Sequence, residues 1–167
     1  MKLLFEDLVP KAYRKHFVEK VLSISNMLKI QPDSLMLTMY IETARTFSPS
    51  IQNPKSKATG LIQFMPATAK ALGTTIDALK QMDAIAQLDY VYKYLKPYSG
   101  KMKDFTDTYL AVFFPLAIGK PDDWVLQTSS LSAGKIASWN PLYDLDKDGK
   151  IQKGEIKKKL LSYIPKT

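Results

Sequence analysis

The run Leu35-Met36-Leu37-Thr38-Met39-Tyr40-Ile41 is almost wholly apolar and ends in a single carboxylate, Glu42, after which the chain turns polar. A helix over about Asp33 to Arg45 sets Glu42 on the face of Leu35, Thr38 and Met39, because side chains three, four and seven positions apart share a helix face. A carboxyl on such a face is poorly hydrated, which favours its protonated form and makes it fit to act as a general acid. The competing arrangement is an ion pair with Arg45, one turn on, which keeps Glu42 ionised. The helix by itself does not choose between them.

The 167 residues, 46% of them hydrophobic, suit one compact domain that buries its core without covalent support. There is no cysteine, so the fold is independent of redox conditions. A net charge of +8 implies an anionic partner. Nucleic acid fits that charge, but the chain shows no nucleic-acid motif, and a single His16 with no cysteine excludes a zinc finger. No apolar run approaches the ~20 residues that span a bilayer, so no transmembrane segment is expected.

The pattern is mainly α. Helical spacing runs over about Pro10 to Leu28, Asp33 to Arg45, Pro66 to Leu72, Asp83 to Leu95, Asp104 to Phe114 and Gly154 to Ile164. Ile85, Leu88, Tyr92 and Leu95 form an apolar stripe that reads as core. Residues 48–59, rich in Ser, Asn, Pro and Lys, form the clearest loop and are placed to wall a cleft; a short hairpin within residues 50–64 fits the pattern.

Two ordered motifs meet at this loop. Glu42-Thr43 ends the apolar helix, and Gly60-Leu61-Ile62-Gln63-Phe64-Met65-Pro66, with Thr68-Ala69, follows it. Together they resemble the sugar-cleaving core of the lytic transglycosylase and goose-type lysozyme superfamily. The resemblance covers roughly Asp33 to Gly119 and implies a single lysozyme-like, mainly α domain with a small loop or hairpin region beside the catalytic helix. It implies cleavage of the β-1,4 bond between N-acetylmuramic acid and N-acetylglucosamine, with Glu42 as the catalytic acid. The partners expected are peptidoglycan glycan strands, with no nucleic acid, and the chain is expected to act as a monomer.

Substrate contacts are expected from Thr43, Thr59, Gly60, Gln63, Phe64 and Tyr109. Gln63 either binds an acetamido group or braces its loop, and Thr43 either orients Glu42 or caps the helix. The family's third element, a Tyr-Asn-Ala-Gly-like segment, has its nearest counterpart at Tyr109 to Pro121, with Phe113 where the tyrosine is expected. Tyr109, one turn earlier, either supplies the missing hydroxyl or packs as a core aromatic. The compact core resembles phage-type lysins. That resemblance implies synthesis in a host bacterial cytoplasm without an export signal and action on the wall in the periplasm or outside.

Asp144-Leu145-Asp146-Lys147-Asp148-Gly149-Lys150-Ile151-Gln152-Lys153-Gly154-Glu155 matches the twelve-residue EF-hand loop, with carboxylates at positions 1, 3, 5 and 12 and glycine at 6. The expected ligands of a structural Ca2+ are Asp144, Asp146, Asp148, the Lys150 carbonyl and Glu155. Pro141 interrupts the entering helix, so the loop reads as a clasp for the C-terminal helix. The chain is accordingly divided into a catalytic part, 1–143, and a loop-and-helix part, 144–167, packed on it.

Between Glu42 and Asp77 there is no other Asp or Glu. Most glycosidases use two carboxylates flanking the scissile bond, so a single-carboxylate route to a 1,6-anhydro product is favoured. Hydrolysis stays open if the fold brings Asp77, Asp83, Asp104 or Asp107 to the cleft. A catalytically inactive, calcium-dependent wall-binding or virion structural protein, or a calcium-regulated basic adaptor, are the alternatives of other classes.

Overall fold

A computed structural model describes residues 1–166; Thr167, the last residue of the expected loop-and-helix part, lies outside the described residues. The elements are α1 (Arg14–Leu28), α2 (Pro32–Glu42), α3 (Pro66–Ala71), α4 (Ile76–Gln81), α5 (Ala84–Leu95), α6 (Phe105–Phe113), α7 (Ala133–Trp139) and α8 (Lys153–Tyr163), with 3-10 turns at Glu6–Leu8, Lys96–Tyr98 and Pro115–Ala117. Among the described residues, β pairing is limited to the isolated antiparallel bridges Gln52–Thr59, Thr59–Phe64 and Val125–Gln152.

The α2 helix is the axis of the molecule. Pro32 presets its first turn, and every side chain from Ser34 to Tyr40 is buried. A helix apolar on all sides must be covered on all sides. Its principal neighbours are α6 and α1, and α5 packs on α1.

The helix stops at Glu42, short of the expected Arg45. The Thr43 hydroxyl donates to the Met39 carbonyl at 2.7 Å and accepts from the Phe47 amide at 2.8 Å. The Arg45 amide returns to the Tyr40 carbonyl and the Ala44 amide to that of Ile41, a Schellman closure with Ala44 left-handed at φ 48 where glycine is usual. The first helix also differs from expectation. It starts at Arg14 and not near Pro10, because the Arg14 guanidinium donates to the Val9 and Asp7 carbonyls and folds the preceding segment back on itself.

The α5 stripe is rotated from the one read in the sequence: Ala84, Gln87, Leu88, Val91 and Leu95 are buried, while Ile85 and Tyr92 are half-buried. The short helices α4 and α7 were not expected; each opens on a hydroxyl N-cap, Thr75 and Ser132. Asp83 and Asp104 cap α5 and α6 by accepting from the Ala86 and Asp107 amides.

The C-terminal segment is bound to α6 through a buried ion pair, Lys153 to Asp107 at 2.8 Å. Asp107 also accepts from the Lys103 and Gly119 amides, so the pair is satisfied on the carboxylate side. Ile156 and Leu160 of α8 enter the core, and Ile164 is half-buried. Removing one partner strands the other charge in the interior. Asp107→Ala is therefore expected to lower the unfolding free energy by about 3–5 kcal/mol in urea titrations, and adding Lys153→Met to recover much of the loss.

Candidate active site

Glu42 is the last residue of α2 and is partly exposed. Among the described residues no hydrogen bond or ion pair engages its carboxyl, and burial pushes its pKa up from 4.5 to about 7. Its place at a helix C-terminus, the negative end of the helix dipole, also disfavours the ionised form. The competing pair with Arg45 does not form. Arg45 stands beyond the Schellman turn at φ 74, exposed, with its guanidinium over the Tyr40 ring at 5.8 Å.

Three tyrosines share the Glu42 environment. Tyr109 of α6 is held well above the ordinary phenol range by burial, with the Glu42 charge adding to it. Burial likewise pushes Tyr143 up to about 12 against the lowering effect of its hydrogen bond with Tyr109, and Glu42 again raises it. Tyr94 is pushed up to about 12 by burial first, then by Tyr98 and Glu42; its hydroxyl donates to the Ala111 carbonyl at 2.7 Å. The Tyr109 and Tyr143 hydroxyls are 2.5 Å apart. Phe113, half-buried where the resemblance places a tyrosine, stacks on Tyr109 with 5.5 Å between ring centroids.

The expected substrate contacts are distributed unevenly. Thr43 is fully buried with its hydroxyl committed to the helix cap. Thr59 is also buried, its hydroxyl donating to the Lys57 carbonyl and accepting from the Gln52 amide. Phe64 packs edge-on against Tyr94. Gln63 spends its amide N–H groups on the Ile51 and Gly60 carbonyls, which is the loop-bracing arrangement. Part of Gln63 still lines a small recess of about 60 Å³ with Ile62, Phe64, Met65, Thr68, Tyr94 and Val112.

Gly60, at φ 82, lies against Gln87 so closely that a Cβ would fall 2.2 Å from its Oε1. Gln87 is a residue that sequence reasoning missed. Fully buried on α5, it accepts from the Leu61 amide and donates to the Pro49 and Leu79 carbonyls. The signal was a lone amide within the apolar run of α5. Tyr143 was missed because nothing local marks it.

Of the carboxylates considered as second catalytic groups, three are engaged within the fold and one is exposed. Asp83 and Asp104 cap helices, and Asp107 is paired with Lys153. Asp77, exposed, lines a groove of about 670 Å³ with Gln52, Lys57, Lys70 and Thr74. Glu42 does not line that groove. No carboxylate contributes to the raised pKa of Glu42, as a close like charge would.

In the acidic loop, oxygens of Asp144, Asp146 and Asp148 all lie within 4.8 Å of one another. Asp144 accepts from the Asp148 and Gly149 amides, and Gly149 takes the left-handed φ of 82 that the turn demands. Three hard oxygen donors converging in this way fit Ca2+. Glu155 is outside the trio. Its oxygens accept from the Leu145 and Gln152 amides, the latter completing a capping box for α8.

The raised pKa of Glu42 has a consequence for stability. The folded chain holds this proton more tightly than the unfolded chain, so the contribution is complete below pH 4.5 and is lost as pH rises through about 7. Relative to Glu42→Gln, the wild type should lose on the order of 2–3 kcal/mol across that window. Paired urea titrations at pH 4.5 and pH 8 measure the difference, and an equal gap at both would contradict the buried carboxyl.

Neither the curated proteins nor the solved structures yield a match. The model of the family described as "Transglycosylase SLT domain" matches residues 21–113, a span that contains α2, the Gly60 to Pro66 motif, α5 and α6. With a mainly α, single-domain, lysozyme-like fold and a carboxylate closing its central helix, the chain belongs to the transglycosylase SLT family.

Proposed function

We propose that this protein cleaves the β-1,4 bond between N-acetylmuramic acid and N-acetylglucosamine, with Glu42 as the only acid and base, and releases 1,6-anhydro ends. Peptidoglycan cleavage of the transglycosylase type follows from the family; the single-residue mechanism is carried by the Glu42 carboxyl. With a pKa of about 7, Glu42 at neutral pH can give up a proton and take it back, as one group serving both steps must. In the first step it protonates the leaving oxygen while the substrate's acetamido group supports the oxocarbenium-like carbon. In the second step Glu42, now ionised, draws the proton from the muramyl 6-hydroxyl, which closes on that carbon. The tethered hydroxyl has a large effective-concentration advantage over water. Among the described residues no carboxylate adds to the raised pKa of Glu42, as a close second one would, and a water-activating two-carboxylate mechanism needs such a partner.

In this reading the chain works as a monomer on glycan strands of the wall. Among the described residues no helix is long and apolar enough to cross a membrane.

Glu42→Gln keeps the shape of the side chain and removes its proton. It should lower turnover of purified peptidoglycan by roughly 100-fold or more, and mass spectrometry of the wild-type digest should show ends lighter by one water than a reducing sugar. Reducing ends that carry label from heavy-oxygen water would identify a hydrolytic lysozyme instead. An intact Glu42→Gln activity would rule out both.

Calcium is the second part of the proposal. Asp144, Asp146 and Asp148, with the Lys150 carbonyl and a carboxylate oxygen of Glu155, would hold the ion. Its contribution is to stability, since it neutralises three carboxylates crowded into one turn next to α8. An ion that binds only the folded state raises the melting temperature by mass action. Chelator-stripped protein should melt higher when millimolar calcium is returned, and Asp146→Asn combined with Asp148→Asn should abolish the shift; no shift in the wild type would refute the site.

A further inference from the structure

The groove that Asp77 lines has no part in the chemistry assigned to Glu42. Its volume of about 670 Å³ is that of a small-ligand site. Lys57 and Lys70 line it together with Asp77. All three are exposed, and among the described residues none of them enters an ion pair. Two ammonium groups and one carboxylate thus share one groove without neutralising one another.

Exposed lysines alone make an ordinary solvated face, but Lys57 is built into place. Its backbone is left-handed at φ 64, where a residue with a Cβ is disfavoured and glycine or asparagine is usual. Its amide donates to the Asn53 carbonyl at 2.9 Å, and its carbonyl accepts from the buried Thr59 hydroxyl at 2.8 Å. Gln52, also on the groove, donates its side-chain amide to that hydroxyl at 3.1 Å. Strain that several bonds hold in this way is a mark of functional sites. The groove also adjoins the recess that Gln63 lines: Pro66 and Lys70 of α3 border the groove, and Thr68 of the same six-residue helix borders the recess. That helix is about 9 Å long, and an extended four-residue peptide reaches about 13 Å.

We propose that this groove binds a short peptide carrying two carboxylates to one ammonium, the peptide borne by the muramyl residue of the wall, with Lys57 and Lys70 taking the carboxylates and Asp77 the ammonium. The charge pattern selects this occupant. A phosphate polymer of the wall offers only negative charge and is repelled at Asp77, and glycan stripped of peptide has no ammonium for Asp77 to hold. The choice of peptide rests on peptidoglycan being the substrate, and the groove adds a second point of attachment on that same molecule, away from the bond that Glu42 cleaves.

Calorimetry on the full-length protein tests the groove without turnover. The probe is N-acetyl-L-alanyl-γ-D-glutamyl-L-lysyl-D-alanine, which has two carboxylates and one ammonium. Lys57→Gln and Lys70→Gln should each weaken its binding roughly 2- to 5-fold, the range for exposed charge pairs, and the double variant more than either, with melting temperatures close to wild type. Acetylating the lysine of the probe should weaken binding to the wild type by a similar factor, while Asp77→Asn should bind both forms of the probe alike. Absence of binding to the wild type at millimolar peptide overturns the inference, as do equal affinities in the wild type and the double lysine variant. Binding of polyglycerol phosphate in place of the peptide overturns it too. Cleavage of purified peptidoglycan is measured in parallel. Turnover by the wild type without peptide binding removes the inference and leaves the function standing; peptide binding without turnover removes the function and keeps the groove.

Discussion

Burial of α2 on every side is the constraint from which the rest of the molecule follows. A helix whose residues Ser34 to Tyr40 are all inaccessible has no solvent face, so other elements must wrap it, with α1 and α6 as its principal neighbours. A carboxyl at its end is then unavoidably short of water, and the helix dipole adds to the cost of ionising it. The two effects act in the same direction, which is how an ordinary glutamate comes to titrate near neutrality. No charged partner is needed for that shift, and among the described residues none contributes to it.

Ending such a helix abruptly has a conformational cost, and the chain carries it locally. Ala44, Arg45, Phe47, Lys57 and Gln63 all have positive φ, each disfavoured by roughly 1–2 kcal/mol for a residue with a Cβ. Buried bonds to the backbone hold them: the Thr43 hydroxyl at the helix end, the Gln63 amide across its own loop, and Gln87 from α5. Thr43 and Gln63 are thereby spent on architecture. They fix the exit of α2 and brace the loop that follows it.

The parts of this arrangement written in short stretches of chain were legible. Glu42 stood out because a single charge interrupts an apolar run, and the Gly60 to Pro66 motif follows it at a fixed distance; Pro66 and Gly73 bracket α3 as their backbone preferences require. The loop with its isolated bridges lies where a hairpin was expected. What could not be read was anything set by distant packing. The α5 stripe was misplaced by a rotation because Ile85 and Tyr92 look as apolar as Ala84 and Val91, and only the neighbouring helix decides which are covered. Arg45 seemed a partner for Glu42 until the Schellman turn carried it away. Tyr143 touches Tyr109 across 34 positions, a relation with no periodicity to betray it.

That last contact changes how the C-terminal segment is to be understood. It attaches to α6 twice, by the ion pair at Asp107 and by the hydroxyl pair at Tyr109, two residues apart on the helix that covers α2. The first attachment is worth little as a net source of stability compared with apolar packing, but it is expensive to break, so it fixes position. The second lies at the edge of the Glu42 environment. Loosening the segment would open that edge to water, and hydration would return the carboxyl toward its ordinary range, where at neutral pH it has no proton to give. Holding the segment down and keeping the Glu42 carboxyl poorly hydrated are thus one physical requirement, met by residues that lie far apart in the sequence.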